Sequence, residues 1–308
     1  MTAISDSDIQ TVRRLARRVQ PWADADLEIR PLAGGITNRN FVVTAHGVQH
    51  VLRLPGERTE LLGIQRTHEA QAARRAAALG IGPPVLGASP GAGTLITLLV
   101  PGTHLQGRAF AERLPEVVDL LRRWHRSEPL PNAFAVHRVV ERHAADAASH
   151  GVAVPAACQA LQRASLRIEA AFARAPVPLV PCHNDLLPAN LLFDEKRVWL
   201  LDYEYAGMND AFFDLANLSV NAGLDEAADE HLLHLYFGNS SKAAWARLHL
   251  MKVMSELREG MWGILQQAIS QLDTDFAAYA SERFANCERL VAASQFETWL
   301  EQAASGLG

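Results

Sequence analysis

Residues 180–217, VPCHNDLLPANLLFDEKRVWLLDYEYAGMNDAFFDLAN, decide how the rest of the chain is read. Within them His183-Asn184-Asp185 is followed five positions after the Asp by Asn190, and a short apolar run then ends in Asp202. Residues 190–193 and 198–201 are two β-prone runs separated by a charged turn at 194–197, the pattern of a hairpin. A turn centred near Glu195 and Lys196 is expected to set Asn190 and Asp202 opposite each other, where facing Cβ atoms lie about 4.5–5.5 Å apart. An amide oxygen and a carboxylate so placed suit Mg²⁺, which takes oxygen ligands in near-octahedral geometry and shares its shell with substrate phosphates. Asp185, upstream in a loop without a matching partner, is left to accept a proton from a substrate hydroxyl. Polar residues around an ordinary hairpin produce a bare H-x-D-x-x-x-x-N by chance; the spacing of Asp202 after a strand is what gives the motif weight.

That division of labour is the one used in a kinase catalytic loop: an Asp orients the nucleophile, an Asn holds one metal, and a second Asp beyond the next hairpin holds the metals. HNDLLPANLLF followed by LLDYEYAGMNDAFFDLAN resembles the choline and ethanolamine kinase group, a branch of the aminoglycoside phosphotransferase-like kinases within the protein-kinase-like superfamily. Asp202-Tyr203-Glu204-Tyr205 is the more specific part of that resemblance, because the wider superfamily need not place a Glu two residues after the metal Asp.

Composition is compatible with such an enzyme and excludes several others. A chain of 308 residues is long enough for two domains or one two-lobed unit with a sizeable core. Its 49% hydrophobic and 20% charged residues are ordinary for a globular protein. A formal net charge of −5 and the lack of any Lys/Arg block argue against a nucleic-acid partner or a membrane surface. Cys158, Cys182 and Cys287 are widely spaced with no C-x-x-C, so reduced thiols and a cytoplasmic location are expected. The first twenty residues lack an apolar core of signal-peptide length, and no run approaches the roughly 18 apolar residues of a membrane span. Nothing in the chain specifies an oligomeric state.

Upstream of the central stretch, residues 5–19 carry Ile9, Val12, Leu15 and Val19 at helical spacing, which predicts a surface helix packed on a sheet. Residues 27–29, 41–43 and 49–54 read as strands, the last two joined at His46-Gly47. Between the first two strands lies PLAGGITNRN, whose Gly34-Gly35 pair permits close backbone approach and equally suits a plain hairpin turn. A GGxTNxN segment occupies this position in the resembled family, which implies that Gly34, Gly35, Thr37 and Asn38 face nucleotide phosphates. Arg53 lies where protein kinases carry the strand lysine that pairs the α- and β-phosphates, and an Arg can do this with a planar fork of donors. Glu69, in a helical segment at 67–79, is its expected holder, with Glu60 the rival.

The run from Gly80 is dense in Gly and Pro and becomes a strand at 94–100 that stops at Pro101-Gly102. Residues 97–102 are therefore expected to be the hinge between an N-terminal nucleotide-binding lobe, 1–100, and a C-terminal catalytic lobe, 103–308. Its backbone would meet the adenine edge of ATP, with Leu98, Val100 and Leu192 against the base. Helices are expected at 108–126 and at 132–174, the latter broken near Gly151 and Pro155, while Asp214 reads either as a helix cap or, by the resemblance, as a brace of the catalytic loop.

Near the C-terminus a helix predicted from Leu250 to about Ser270 carries Leu257, Met261, Ile264, Leu265 and Ala268 as its core stripe. Glu259, Trp262 and Gln266 fall on a neighbouring face. WGILQQAISQLDTDFAAYASERF is similar to the WxxxQ…S…DF…YA…RF segment of choline and ethanolamine kinases, in which Trp and Tyr line the amino-alcohol pocket. The resemblance assigns Trp262 and Tyr279 as the aromatics and Glu204 as the carboxylate; read alone, Trp262 is as readily a packing residue. A quaternary ammonium has no N–H donors, so ring quadrupoles and nearby negative charge must hold it. Where members of the family often have a second Trp this chain has Glu259, and where they have a Tyr after the pocket Glu it has Met208 or Asp210. Extra acidic groups in a smaller cage would favour a primary ammonium.

Together these readings predict an α+β, protein-kinase-like two-lobed fold, with an N-terminal antiparallel sheet plus helix and a mainly helical C-terminal lobe. The expected reaction is transfer of the γ-phosphoryl group of ATP, with Mg²⁺, to a small-molecule amino alcohol. The alternatives are a same-fold kinase for an aminoglycoside, thiamine or a sugar, and a catalytically silent nucleotide-binding module.

Overall fold

The computed structural model describes residues 6–19, 22–33, 38–270, 272 and 274–307; Gly34, Gly35 and Thr37 lie outside the described residues. Alternating apolar residues build an antiparallel sheet from β1 (Leu27–Leu32), β2 (Asn38–Ala45), β3 (Val48–Pro55), β4 (Val85–Ser89) and β5 (Thr94–Leu98), in the order β1-β2-β3-β5-β4. β2 and β3 are joined by His46 and Gly47 alone, both at positive φ (52° and 75°), the two-residue geometry whose twist matches that of the flanking strands. On one face α1 (Asp6–Ala16) lays Val12 and Ala16 against Trp22, Phe41, Leu52 and Ile96, as its periodicity predicts. α2 (Arg66–Ala78) buries Ala70, Ala72, Ala73 and Ala76, small residues that let it lie close, and Glu69 is buried with them. β4 was not legible in the Gly/Pro-dense run, because its pairing with β5 is interrupted by a bulge between Val85 and Gly87.

The rest of the chain is mainly helical: α3 (Gly107–His125), α4 (Val136–Ser149), α5 (Cys158–Arg174), α6 (Ala211–Ala222), α7 (Glu226–Phe237), α8 (Lys242–Ile269), α9 (Phe276–Val291) and α10 (Phe296–Ala303). α8 is the axis of this lobe and is surrounded by α4, α6, α9 and α10. It starts two turns before the expected Leu250 and is buried on nearly every side rather than along one stripe. Charged residues at those buried positions hid this from the pattern, and each is paired, as burial of a charge requires. Arg247 meets Asp210 at 2.6 Å, Lys252 meets Asp229, and Glu256 meets Arg283 at 3.3 Å.

Two small antiparallel sheets position the segment quoted at the outset. One has the order β6 (Thr103–His104), β8 (Leu191–Phe193), β9 (Val198–Leu200); the other pairs β7 (Val180–Cys182) with β10 (Gly207–Asn209). Residues 183–190 thus run from one sheet to the other and residues 201–206 run back. Both loops are pinned at their ends and open onto the space between the lobes. No helix among the described residues is long and apolar enough to cross a membrane, and the three cysteines are free and buried.

Candidate active site

The loop after β7 is fixed chiefly by one carboxylate. Asp214, fully buried in the first turn of α6, accepts the backbone N–H of His183 and of Asn184, each at 2.7 Å. It also lies 3.0 Å from His125 Nε2, whose Nδ1 meets the Tyr236 hydroxyl at 2.6 Å. Of the two readings of Asp214 the brace is the one realised; the cap of α6 is Asp210, whose Oδ1 accepts Phe212 N–H at 2.9 Å. One turn on, Asn217 Oδ1 accepts Leu186 N–H at 2.5 Å. Asn184 sits at φ 66°, a conformation Asn tolerates, with its amide bonded to Tyr205 O and Asn209. His183 Nε2 donates to Leu201 O at 2.9 Å, tying this loop to the residue before Asp202. Asp185 is thereby held on both sides with its side chain 13% exposed to the cleft.

The β8–β9 hairpin exists, but its register differs by one from the expected one. Leu191 pairs with Leu200, and Leu201 N–H reaches Asn190 O at 2.9 Å, so Asn190 faces Leu201 rather than Asp202. The reason is the loop: with Phe193 opposite Val198, the four residues 194–197 are centred between Glu195 and Lys196, which sets 190 against 201. Asp202 then leaves the strand at φ 64°, a left-handed conformation of the kind that clusters at functional sites, and lines the same cleft as Asn190. Asn190 turns its amide nitrogen toward Asp185, at 2.9 Å from the backbone oxygen and 3.3 Å from Oδ2, leaving its own oxygen without a donor among the described residues.

Beneath these residues lies a network of charges joining the lobes. Arg53 on β3 pairs with Glu69 and, at 2.5 Å, with Asp202. Glu60, the rival holder, is exposed. Arg66, at the start of α2, was missed by the sequence reading although it stands three residues before Glu69; its Nη1 lies 2.8 Å from Glu69 and 3.1 Å from Glu204. Asn38 is buried with its amide nitrogen on Glu204 (2.8 Å) and its oxygen on Arg66 (2.9 Å), while Asn40, two residues further along β2, lines the cleft. The carboxylate oxygens of Glu69, Asp202 and Glu204 fall within 4.8 Å of one another.

One cleft of about 590 Å³ runs from the linker at 99–102 to α8, a volume ordinary for a small-molecule site. Leu98, Val100 and Leu192 line its linker end; Asp185, Asn190 and Asp202, with Glu204 near Asp202, its middle; Glu259, Trp262 and Tyr279 its far end. There the rings of Trp262 and Tyr279 meet edge-to-face, centroids 5.8 Å apart at 72°. Trp262 Nε1 donates to the Tyr205 hydroxyl at 3.1 Å, and Tyr279 donates to Glu259 Oε2 at 2.7 Å. α9, the helix that carries Tyr279, lies close against α8 at two glycines: a Cβ at Gly260 would lie 2.6 Å from Phe284 Cδ1, and one at Gly263 would lie 3.1 Å from Tyr279 Cδ1. Asp210 is not part of this end, being turned to Arg247, and Met208 packs beside Leu130. Of the residues at the two departures, Glu259 lines the cleft.

So many acids in one dry space perturb each other. Burial pushes the Asp185 carboxyl up to about 8; the charge of Arg258 opposes the rise, while Glu259, Asp202 and Glu204 add to it. Burial likewise raises Glu204, with Asp202 adding and Arg53 and Arg66 opposing. Arg66 itself is pulled down by burial. Such a site favours the arrival of positive charge. The donors at its middle, an amide oxygen and carboxylates, are hard oxygen ligands, and the free Asn190 oxygen beside a 32% exposed Asp202 fits Mg²⁺ better than any softer ion.

Fold and site together define a class, the kinase-like phosphotransferases. The chain belongs to the phosphotransferase enzyme family, which it matches over residues 28–251. Within it, the chain is 31% identical to a choline/ethanolamine kinase family protein from Mesorhizobium loti, whose crystal structure superposes with a TM-score of 0.83 over 97% of this chain and 99% of that one. It is 28% identical to protein LicA of Haemophilus influenzae over 257 residues, 80% of this chain and 96% of that protein. The crystal structure of choline kinase LicA from Streptococcus pneumoniae, 20% identical, shares the fold with a TM-score of 0.79 over 92% of this chain and 99% of that one.

Proposed function

We propose that the protein is an ATP-dependent kinase that phosphorylates the hydroxyl of a small amino alcohol of the choline or ethanolamine type. The observation that carries this reading is the single cleft in which Asp185, Asn190 and Asp202 stand between an apolar linker end and the Trp262/Tyr279 pair. In it Asp185 aims the substrate hydroxyl at phosphorus and takes its proton, from a loop braced at His183 and Asn184 by Asp214. Arg53, held by Glu69, neutralises the phosphates that are not transferred. The Leu98 and Leu99 amides are already bonded to Pro84 O and Gln49 O, so a purine edge is met from Val100 onward, with Leu98 and Leu192 against its faces. Mg²⁺, held by Asn190 and Asp202, would supply further neutralisation of the β- and γ-phosphates. The ammonium end lies against Trp262 and Tyr279, with Glu259 as the adjacent acid and Glu204, tied to Arg66 and Asn38 near Asp202, adding negative charge from the middle of the cleft. The lobes divide at 97–102, and free, buried thiols suit a cytosolic setting.

The test is a coupled ADP-release assay with choline, ethanolamine, thiamine and an aminoglycoside as acceptors, run on the wild type and on Asp185→Ala. Turnover of an amino alcohol that disappears in Asp185→Ala, with ATP binding retained, is the expected result. Turnover of none of the amino alcohols sinks the substrate reading; an active Asp185→Ala enzyme sinks the mechanism.

A further inference from the structure

Arg258 is among the largest fully buried side chains of the molecule, and neither the motif nor the reaction as described has a use for it. It stands on α8 one turn before Trp262, its guanidinium carbon 4.4 Å from the Tyr205 ring centre and 5.7 Å from that of Phe134. Nη1 is bonded to Glu259 and lies 3.6 Å from Asp185 Oδ1. That second distance is too long for a hydrogen bond and well within the reach of charge attraction in a dry site. Nε and Nη2 have no hydrogen-bond partner among the described residues. Arg247, the other buried Arg of α8, is the contrast: it bonds Asp210 twice and Ala175 O as well, as a cation kept for architecture does.

A guanidinium is costly to bury and stays only where its charge is matched. Here the matching charges are one acid from the middle of the cleft and one from its ammonium end. Asp185 is consequently held from two directions, Oδ2 by the Asn190 amide at 3.3 Å and Oδ1 by Arg258. Glu259 is likewise held on both oxygens, by Arg258 and by the Tyr279 hydroxyl. Tyr279, Glu259, Arg258 and Asp185 therefore form one chain of side chains from the aromatic cage to the acid that receives the hydroxyl. We propose that Arg258 is a positioning residue of the transfer reaction, orienting the Asp185 carboxylate by charge and offsetting Glu259 beside the substrate cation. Two consequences follow, in opposite directions. Without Arg258 the acid loses one of its two anchors, which slows turnover, while Glu259 loses its counter-charge and attracts a cationic substrate more strongly.

The inference rests on the amino-alcohol reading, and the wild-type acceptor panel tests that reading separately: if the wild type turns over no cationic acceptor, the substrate reading fails before any variant is made. With an accepted substrate, Arg258→Met is expected to lower kcat by about 10²-fold, the cost of misplacing a reacting group. Its KM for ATP should stay within about twofold and its KM for the amine should hold or fall, a split that marks loss of transition-state rather than ground-state interactions. Arg258→Lys, which restores the charge but not the fork, should recover at least about tenfold of the lost kcat. Should Arg258→Met not fold, Arg258→Met/Glu259→Gln removes both charges together, restores a matched interior, and is expected to keep the kcat defect. The proposal is overturned if kcat stays within about threefold of wild type in the folded variant, or if both KM values rise together with kcat unaffected. It is also overturned if Lys recovers stability without recovering kcat.

Discussion

Replacing Asp214 by Asn changes one oxygen into an NH2 group and leaves the shape of the side chain intact, so its effect isolates the brace of the catalytic loop. In the native site the two carboxylate oxygens take His183 N–H and Asn184 N–H at 2.7 Å and face His125 Nε2 at 3.0 Å, all fully buried. The amide can accept only one of the two backbone donors and turns its own N–H toward the other. A hydrogen bond to a charged group contributes about 1.5–3 kcal/mol, and a buried donor left without a partner costs about 1–3 kcal/mol. These overlap, which places the loss at about 3–4 kcal/mol, or, with an unfolding entropy of about 2.1 cal/mol/K per residue over 308 residues, a fall in Tm of about 5–6 °C. Activity should suffer beyond stability. Whichever contact is lost, it sits on one of the two residues before Asp185, and a displacement of about 1 Å there costs on the order of 10²-fold in kcat. Urea unfolding followed by circular dichroism, with ADP release measured well below the transition, reads the two effects separately. An Asp214→Asn protein whose urea midpoint and kcat both match the wild type would refute the reasoning, since the loop would then be held by something other than this carboxylate.

Trp262→Ala should raise the KM for a quaternary or primary ammonium acceptor by about 10–30-fold, the equivalent of a desolvated cation–π contact, without moving the KM for ATP; an equal rise in both constants argues for a packing role. Gly260→Ala should destabilise by about 1–3 kcal/mol through overpacking, because its Cβ meets Phe284 at 2.6 Å, and should weaken amine binding by shifting α9 and Tyr279; an unchanged melting curve speaks against that packing. Stability should also fall on acidification. His143 and His249 are buried and held neutral, with burial lowering them to about 3 and about 4, so the unfolded chain binds protons below its ordinary value of 6.5 while the folded chain does not. Stability is therefore full above pH 6.5 and lost as pH falls toward those values, by about 2 kcal/mol per group at pH 5. Urea midpoints at pH 7 and 5 for wild type and His249→Phe check this: the variant should lose about half of the shift contributed by the pair, and an identical pH dependence counts against it.

Much of this site could be read from the chain because its chemistry is local. Asp185, Asn190 and Asp202 lie on one loop and the hairpin that follows it, so their spacing reports their neighbourhood directly, and Asn190 and Asp202 line one cleft with Asp185 as expected. The register was misjudged by one because a four-residue loop places its centre between two residues, and a single-residue slip changes every pairing along the hairpin. Arg66 and Arg258 escaped notice for a different reason. Each stands near an acid in sequence, as countless solvated surface pairs do; full burial distinguishes Arg258, and bonds to Glu204 and Asn38 distinguish Arg66. The extent of α8 was hidden likewise, since Arg247, Lys252 and Glu256 read as a wet face until the partners on α6, α7 and α9 are in place.

The chain by itself determined the elements with strong periodicity, the order of the candidate groups along residues 183–202, and the family to which the chain belongs, because each depends on residues a few positions apart. Only the tertiary structure decided which charges are paired across the lobes and that Asp214 braces rather than caps. It alone shows that Trp262, Tyr279 and Asp185 share one cleft, with Arg258 between Glu259 and Asp185. Those outcomes depend on contacts between residues up to 166 positions apart, as between Asn38 and Glu204, and the free energy of a charge is set by what surrounds it in space, which no local spacing encodes.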